Sequence, residues 1–212
     1  GKVKASQGPD ARVTASWRLP GGLGVDEGAL RLRLPGDAPF EAKIGASGLD
    51  LGPLGQVLGV EGLAGVVTAA GNVAGTLDAP TSVMGLRVKG LATQEWEAAD
   101  IDAALVLSED ATQARLQMAR GGVVPFRTEF DLPLNVVTVF RRAEERQVAL
   151  QRLAHSPFSL SLVLKETRLA ALPFVGRHMG SAGDARVEAK IEASGRLDSP
   201  QVDGAVHLTG LR

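Results

Sequence analysis

Gly75-Thr76-Leu77-Asp78-Ala79-Pro80 and Gly195-Arg196-Leu197-Asp198-Ser199-Pro200 are one turn written twice, 120 residues apart. The match runs on without a gap: Val67, Ala69, Leu86, Val88, Gly90 and Leu91 recur as Val187, Ala189, Val206, Leu208, Gly210 and Leu211. Around the turn, polarity alternates with period two. From 186 to 197, Arg186, Glu188, Lys190, Glu192, Ser194 and Arg196 fall on one side, and Val187, Ala189, Ile191, Ala193, Gly195 and Leu197 on the other. This alternation is the signature of a strand with one wet and one oily face. The repeated unit is therefore strand, turn, strand, and repetition on this scale predicts an elongated array.

Weaker echoes carry the repeat outward. Leu19-Pro20 returns as Leu132-Pro133, Ala29-Leu30 as Ala149-Leu150, Pro39-Phe40 as Pro157-Phe158, and Leu49 as Leu169. Residues 92–132 have no second copy. The chain thus divides into a partial first copy over 1–91, intervening strands over 92–132 and a second copy over 133–212. All three are expected in one continuous sheet, and the whole reads as a piece of a longer array.

The composition suits strands and turns. Of 212 residues 44% are hydrophobic, yet only 4% are aromatic and tyrosine is absent, so the apolar material is Val, Leu and Ala punctuated by 26 Gly. A formal charge of −1 with interspersed signs offers no footprint for nucleic acid. The absence of cysteine excludes a disulfide framework and a zinc-thiolate site. No apolar run is long enough for a transmembrane segment, so any export address lies outside these residues.

Strand after strand repeats the same sidedness, which gives a candidate lining. It comprises Leu30 and Leu32, then Phe40 and Ile44, then Val67, Val73 and Leu77, then Leu86 and Val88. Ile101, Leu105 and Leu107 follow, with Leu116 and Met118, Phe126 and Phe130, and Phe158, Leu160, Leu162 and Leu164. Val187, Ile191, Leu197, Val206 and Leu208 complete it. About a dozen strands joined by short turns, such as Ser108-Glu109-Asp110 and Arg120-Gly121-Gly122, predict an antiparallel sheet. Segments 51–58 and 168–178 break the period and read as short helices or irregular plugs. Segment 141–153 has helix-forming content, but its counterpart 29–34 alternates cleanly, so turn then strand is the expectation.

The search for chemistry is negative. His155, His178 and His207 are far apart and in no metal-ligand spacing. Gly180-Ser181-Ala182-Gly183 lacks the form of a nucleophile elbow, and the Gly-rich run 52–65 spells no phosphate loop. Glu95, Glu97, Asp100 and Asp102 around Trp96 read as a solvated face. The sequence therefore assigns no catalytic residue, no metal and no cofactor. What remains is the oily face, which a second sheet, the far wall of a barrel or lipid chains must cover. No sheet-switching pattern argues for a sandwich, and neither tyrosine nor aromatic girdles argue for a membrane barrel. A long sheet curled along its length, with an apolar trough on the order of 55 Å long at about 4.8 Å per strand, is the third solution.

Ser47 to Leu51 (Ser-Gly-Leu-Asp-Leu), the Gly-rich strand that follows, and Gly-x-Leu-Asp-x-Pro with a closing Gly-Leu together resemble the repeat of the TamB and AsmA-like family of bridge-like lipid transport proteins. Gly75 to Leu91 and Gly195 to Leu211 carry the likeness most sharply. The resemblance implies an all-β fold: an antiparallel, curled β-taco or open half-pipe with an apolar concave interior. It implies a periplasmic protein of a diderm bacterium, anchored in the inner membrane, that carries phospholipid acyl chains to the outer membrane without catalysis. An Omp85-type barrel, TamA- or BamA-like, is the implied partner. An assembly role for outer-membrane β-barrel proteins or autotransporters uses the same surface. From another class, the rival is a structural β-repeat such as an adhesin stalk, with its core sealed by protein.

Overall fold

The alternating segments become strands. In a computed structural model the described residues are all but 1, 7–10, 19–22, 27–28, 33–36, 77, 95–97, 122, 143–145, 170–171, 173–184 and 211–212. The elements are β1 (Lys2–Ser6), β2 (Arg12–Arg18), β3 (Leu23–Asp26), β4 (Ala29–Leu32), β5 (Phe40–Asp50), α1 (Gly52–Leu58), β6 (Ala64–Gly75), β7 (Pro80–Ala92) and β8 (Ala99–Leu107). They continue with β9 (Thr112–Arg120), β10 (Val123–Leu132), α2 (Val136–Arg142), α3 (Arg146–His155), β11 (Pro157–Arg168), β12 (Arg186–Arg196) and β13 (Ser199–Thr209). Eleven strands form one open sheet in the order β1-β2-β5-β6-β7-β8-β9-β10-β11-β12-β13, and every pair is antiparallel. The fold is all-β, and the sheet does not close into a barrel.

The repeated turn has a physical cause. Gly75 is the last residue of β6 and Gly195 the last but one of β12, with φ of 99° and 96°, a region that L side chains avoid, and each pairs with a proline at or next to the start of the following strand. A Cβ on Gly75 would come within 2.6 Å of the Ala79 carbonyl oxygen. Proline sits at the strand start, where its missing N–H costs no central ladder bond. Both hairpins share one register: Val67 faces Val88 and Ala69 faces Leu86, as Val187 faces Leu208 and Ala189 faces Val206. The second glycine of the repeat, Gly90, has φ 63° at a register shift between Val88 and Leu91, and its N–H donates to Asp100 Oδ1 at 2.8 Å. Similar shifts in β5, β6, β10 and β11 fall at the same end of the sheet, where they add local twist.

Two expectations are corrected. The described residues of segment 141–153 are helical, 141–142 in α2 and 146–153 in α3: Arg146 to His155 contains no Gly or Pro and is filled with Arg, Gln, Ala and Leu, so local propensity overrides the analogy with the first copy. That counterpart, β3 with β4, does pair as strands, but as a separate hairpin outside the main sheet. Segment 51–58 is the short helix α1, closed by Gly59 in the left-handed region. Of 168–178, the described part folds back through hydrogen bonds from Leu169 N to Ala185 O and from Leu172 N to Leu169 O; the rest lies outside the described residues.

One side chain fixes the helices to the sheet. Asn135, 3% exposed, donates from Nδ2 to the carbonyls of Pro80 (2.7 Å) and Ser108 (2.6 Å). Its Oδ1 accepts from Val137 N and Thr138 N, which caps the start of α2. Thr112 Oγ1 donates to Leu134 O and accepts from Val136 N, so this segment crosses the ends of β7 to β10 and buries Ser82, Leu107, Thr112 and Leu132. At the far end of α3, the β12–β13 turn docks through Leu197 N to Ser156 O and Asp198 N to Ala154 O. Loss of hydration alone would raise the Asp198 pKa, but Arg196, Ser199 and His155 outweigh it and hold the carboxyl below its ordinary value.

Asn135→Ala should destabilise the fold by about 2–4 kcal/mol, because it leaves two buried carbonyls unpaired as well as removing a cap. Asn135→Asp should not rescue it, since a carboxylate cannot donate to those carbonyls; urea midpoints with an unchanged m-value would check both. Because the Asp198 pKa is lowered on folding, its contribution is present at neutral pH and is lost as the pH falls through the lowered value. Asp198→Asn should therefore flatten the acid limb of a Tm-against-pH curve.

Candidate apolar binding face

Antiparallel partners share a face, so register assigns every side chain. One row runs Val3, Ala15, Ile44, Gly71, Met84, Leu105, Ala114, Phe130, Leu160, Ala193, Val202 across all eleven strands. A parallel row runs Val13, Ala46, Ala69, Leu86, Ala103, Leu116, Thr128, Leu162, Ile191, Gly204. A third begins at Leu49 and passes through Val67, Val88, Ile101, Met118, Phe126, Leu164 and Ala189 to Val206. None contains a charge. The opposite face carries Arg87 paired with Asp102 (2.6 Å), Lys190 with Glu192 (2.9 Å), Lys43 with Glu41 (2.9 Å) and Arg127 with Glu129. The Lys43 hydrogen bond and charge hold Glu41 below its ordinary pKa, and Glu192 likewise holds Lys190 above its own. All of these pairs lie at the surface, where each is worth about 0–1 kcal/mol, so they mark the wet side and do not hold the sheet together.

The middle of the apolar face is open. Ile44 is 55% exposed, and Met84, Leu86 and Leu116 are also exposed, although all four are large apolar side chains in the centre of a sheet. Toward the strand ends the same face closes. Leu107 and Leu132 are buried at the α2 end, and at the other end Leu169 packs with Leu164, Ala185, Val187 and Ala189, with Phe126 and Leu172 against them. Between these ends a hollow of about 500 Å³ spans β5 to β10, lined by Ile44, Ala69, Gly71, Val73, Met84, Leu86, Ala103, Leu105, Ala114, Leu116 and Phe130 among others. Phe130 stacks obliquely on Phe158 with ring centroids 6.3 Å apart, which extends the face toward β11. A second hollow of about 640 Å³, lined by Gln113, Arg115, Glu129, Asp131, Ser159 and Glu192 among others, opens on the polar face.

Most of the lining expected from sequence lies on this one face. The exceptions are instructive. Leu30 and Leu32 belong to the separate β3–β4 hairpin, and Leu197 stands in the β12–β13 turn rather than on the sheet, because the chain reverses there. Leu77 lies outside the described residues, as do Glu95, Trp96, Glu97 and His178. Asp100 and Asp102 sit on strand β8, engaged by Gly90 N and Arg87, and His207 faces Glu188 on the wet side. Ala103 and Ala114 stand in the same alternation as Leu105 and Leu116, but the hollow that their small size leaves between larger neighbours carries no hydrophobic signal in the sequence.

Among the described residues no cluster of potential metal ligands occurs, and no helix is long and apolar enough to cross a membrane. The arrangement defines a class, an open antiparallel sheet with an apolar face that is exposed along its middle. Comparison with protein-family models, with curated proteins and with solved structures gives no match.

The chain has no cysteine, so single cysteines report the face directly. Cysteines at Ile44 and Leu86 should react with a lipophilic maleimide in the folded protein. Cysteines at Leu132 and Val187, buried under the end segments, should stay unreactive until the chain is unfolded. Equal reactivity at all four positions would mean that the end segments do not close the face.

Proposed function

We propose that this chain is part of a non-enzymatic conduit whose apolar face receives the acyl chains of phospholipids and lets them pass across the strands. The observation that carries the reading is the unbroken, uncharged succession of side chains from Val3 to Val202, exposed along its middle. Eleven strands at about 4.8 Å give a path of roughly 50 Å. Withdrawing a 16-carbon chain from water is worth roughly 12 kcal/mol at about 0.8 kcal/mol per methylene, so a charge anywhere in the path would be a barrier. Ile44, Met84, Leu86 and Leu116 stay exposed on this face, which favours a conduit over a sealed structural repeat. With the repeat motifs of the TamB and AsmA-like family, the reading extends to an apolar trough in the periplasm of a diderm bacterium. There it would serve outer-membrane biogenesis between the two membranes, with an Omp85-type barrel as the partner.

Two measurements test this. Mass spectrometry of the purified protein should find co-purified phospholipid. Leu105→Asp and Leu162→Asp should abolish photo-crosslinking to a diazirine-labelled phospholipid while the far-ultraviolet circular dichroism is kept. Gln117→Asp, on the wet face between Asp102 and Arg127, should leave crosslinking intact. Equal losses from both faces would point to misfolding and remove the conduit reading.

A further inference from the structure

The two edges of the sheet are unlike. β1 offers five residues with lysines at 2 and 4, and short, lysine-bearing edges resist pairing. β13 offers eleven, all exposed, in unbroken register with β12 and with no lysine, arginine or glutamate among them; Val202 and Val206 are 65% and 56% exposed. Among the described residues no strand pairs with its outer edge. We propose that this edge takes the same strand of a second copy of the chain, antiparallel about a two-fold axis at Ala205, so that two eleven-stranded sheets join into one.

Two observations set the partner and the register. The first is that β13 repeats β7, and the outer edge of β7 is occupied by β8: Leu86 faces Ala103, Arg87 faces Asp102 and Val88 faces Ile101. The kink that closes β7 is present as well, since Gly210 has φ 74° where Gly90 has 63°. The edge is therefore shaped for a strand like β8. The second is that β13 itself reads like β8. Gln201-Val202-Asp203-Gly204-Ala205-Val206-His207-Leu208 aligns without a gap with Asp100-Ile101-Asp102-Ala103-Ala104-Leu105-Val106-Leu107. Laid on a second β13 in the register of β7 with β8, Leu208 faces the second copy's Val202, Val206 faces its Gly204 and His207 faces its Asp203. Gln201 then stands where Asp100 accepts from Gly90 N. No like charges meet, and the apolar side chains of both copies stay on one face. A slip of two residues would set His207 against Ala205 or Gln201 and leave both Asp203 side chains without an opposite charge.

The junction is sensitive to pH. On the wet face His207 lies opposite Glu188 of β12, with Arg186 and Lys190 diagonal to it, and Asp203 lies opposite Glu192, with Lys190 diagonal. Pairing adds a carboxylate on the open flank of His207, twice per dimer, so protonation of the two imidazoles favours association. The contribution is present at low pH and is lost as the pH rises through the histidine range, about 6–7.

The test uses the full 212-residue chain in sedimentation equilibrium. A monomer–dimer equilibrium should tighten about threefold or more from about pH 8 to about pH 6, as two exposed charge pairs form. His207→Lys should keep the dimer and remove that dependence. Ala205→Glu sets two carboxylates against each other on the axis but faces Lys190 within each copy, so it should weaken the dimer at least ~5-fold with Tm unchanged. Ala205→Cys, the sole cysteine, should crosslink two copies on mild oxidation, because directly opposed residues stand about 4.5–5.5 Å apart at Cα. Gln201→Cys, opposite Thr209 in the same register, should not. A monomer at every concentration, a dimer indifferent to pH, or equal crosslinking at 201 and 205 overturns the pairing. So does a dimer that survives Ala205→Glu, which would assign the contact to the apolar face, or growth beyond two copies, which would assign it to β13 on β1. None of these outcomes bears on the conduit reading, which rests on the face and not on the edge.

Discussion

The structure depends on register. In an antiparallel sheet the side-chain period is two, so a slip of one residue in any of ten pairings would move an entire strand's apolar set to the wet face and interrupt the uncharged rows. The chain guards against this at its turns. Gly75 and Gly195 adopt conformations that fix where each hairpin reverses, and the proline paired with each, having no N–H to donate, is suited to a place at or next to the strand start and not to the strand's interior. The repeated turn, the most visible feature of the sequence, is thus the device that keeps one face oily across the whole sheet.

How much of this was legible follows from what alternation encodes. The strands, their antiparallel order and the common face of residues as distant as Ile44 and Ile191 all follow from period two. The helices α2 and α3 did not, because repeat analogy and local propensity disagreed over 141–153, and the analogy pointed to strand where propensity decided for helix. Asn135 carries no periodic signal, yet it holds four hydrogen-bonded contacts between helix and sheet. The hollow was invisible for a different reason: it is made by what Gly71 and Ala103 lack, and hydrophobic patterning weighs side chains that are present.

Where the helices and plugs sit matters as much as that they exist. Segments that interrupt the strand pattern come to the ends of the strands, where they bury Leu132 on one side and Leu164 and Val187 on the other. None is placed across the middle rows among the described residues. A stable sheet needs cover for part of its apolar face, and the end segments supply it at both margins, which leaves a band running perpendicular to the strands. The stabilising contacts and the open band are therefore two consequences of one arrangement.

The openness of that band is the point at which stability and function separate. Soluble monomers rarely leave contiguous apolar surface beyond a few hundred Å² uncovered. A chain selected for stability alone would place lysine or glutamate at Ile44, Leu86 or Leu116, exposed positions where a charge would cost the fold little. It places none there, while the opposite face is supplied with paired charges. An uncharged middle between well-packed margins makes physical sense if something apolar, longer than it is wide, is to lie along it and leave again. Uniform lining serves that better than deep pockets, because movement across strands requires that neighbouring positions bind with similar strength.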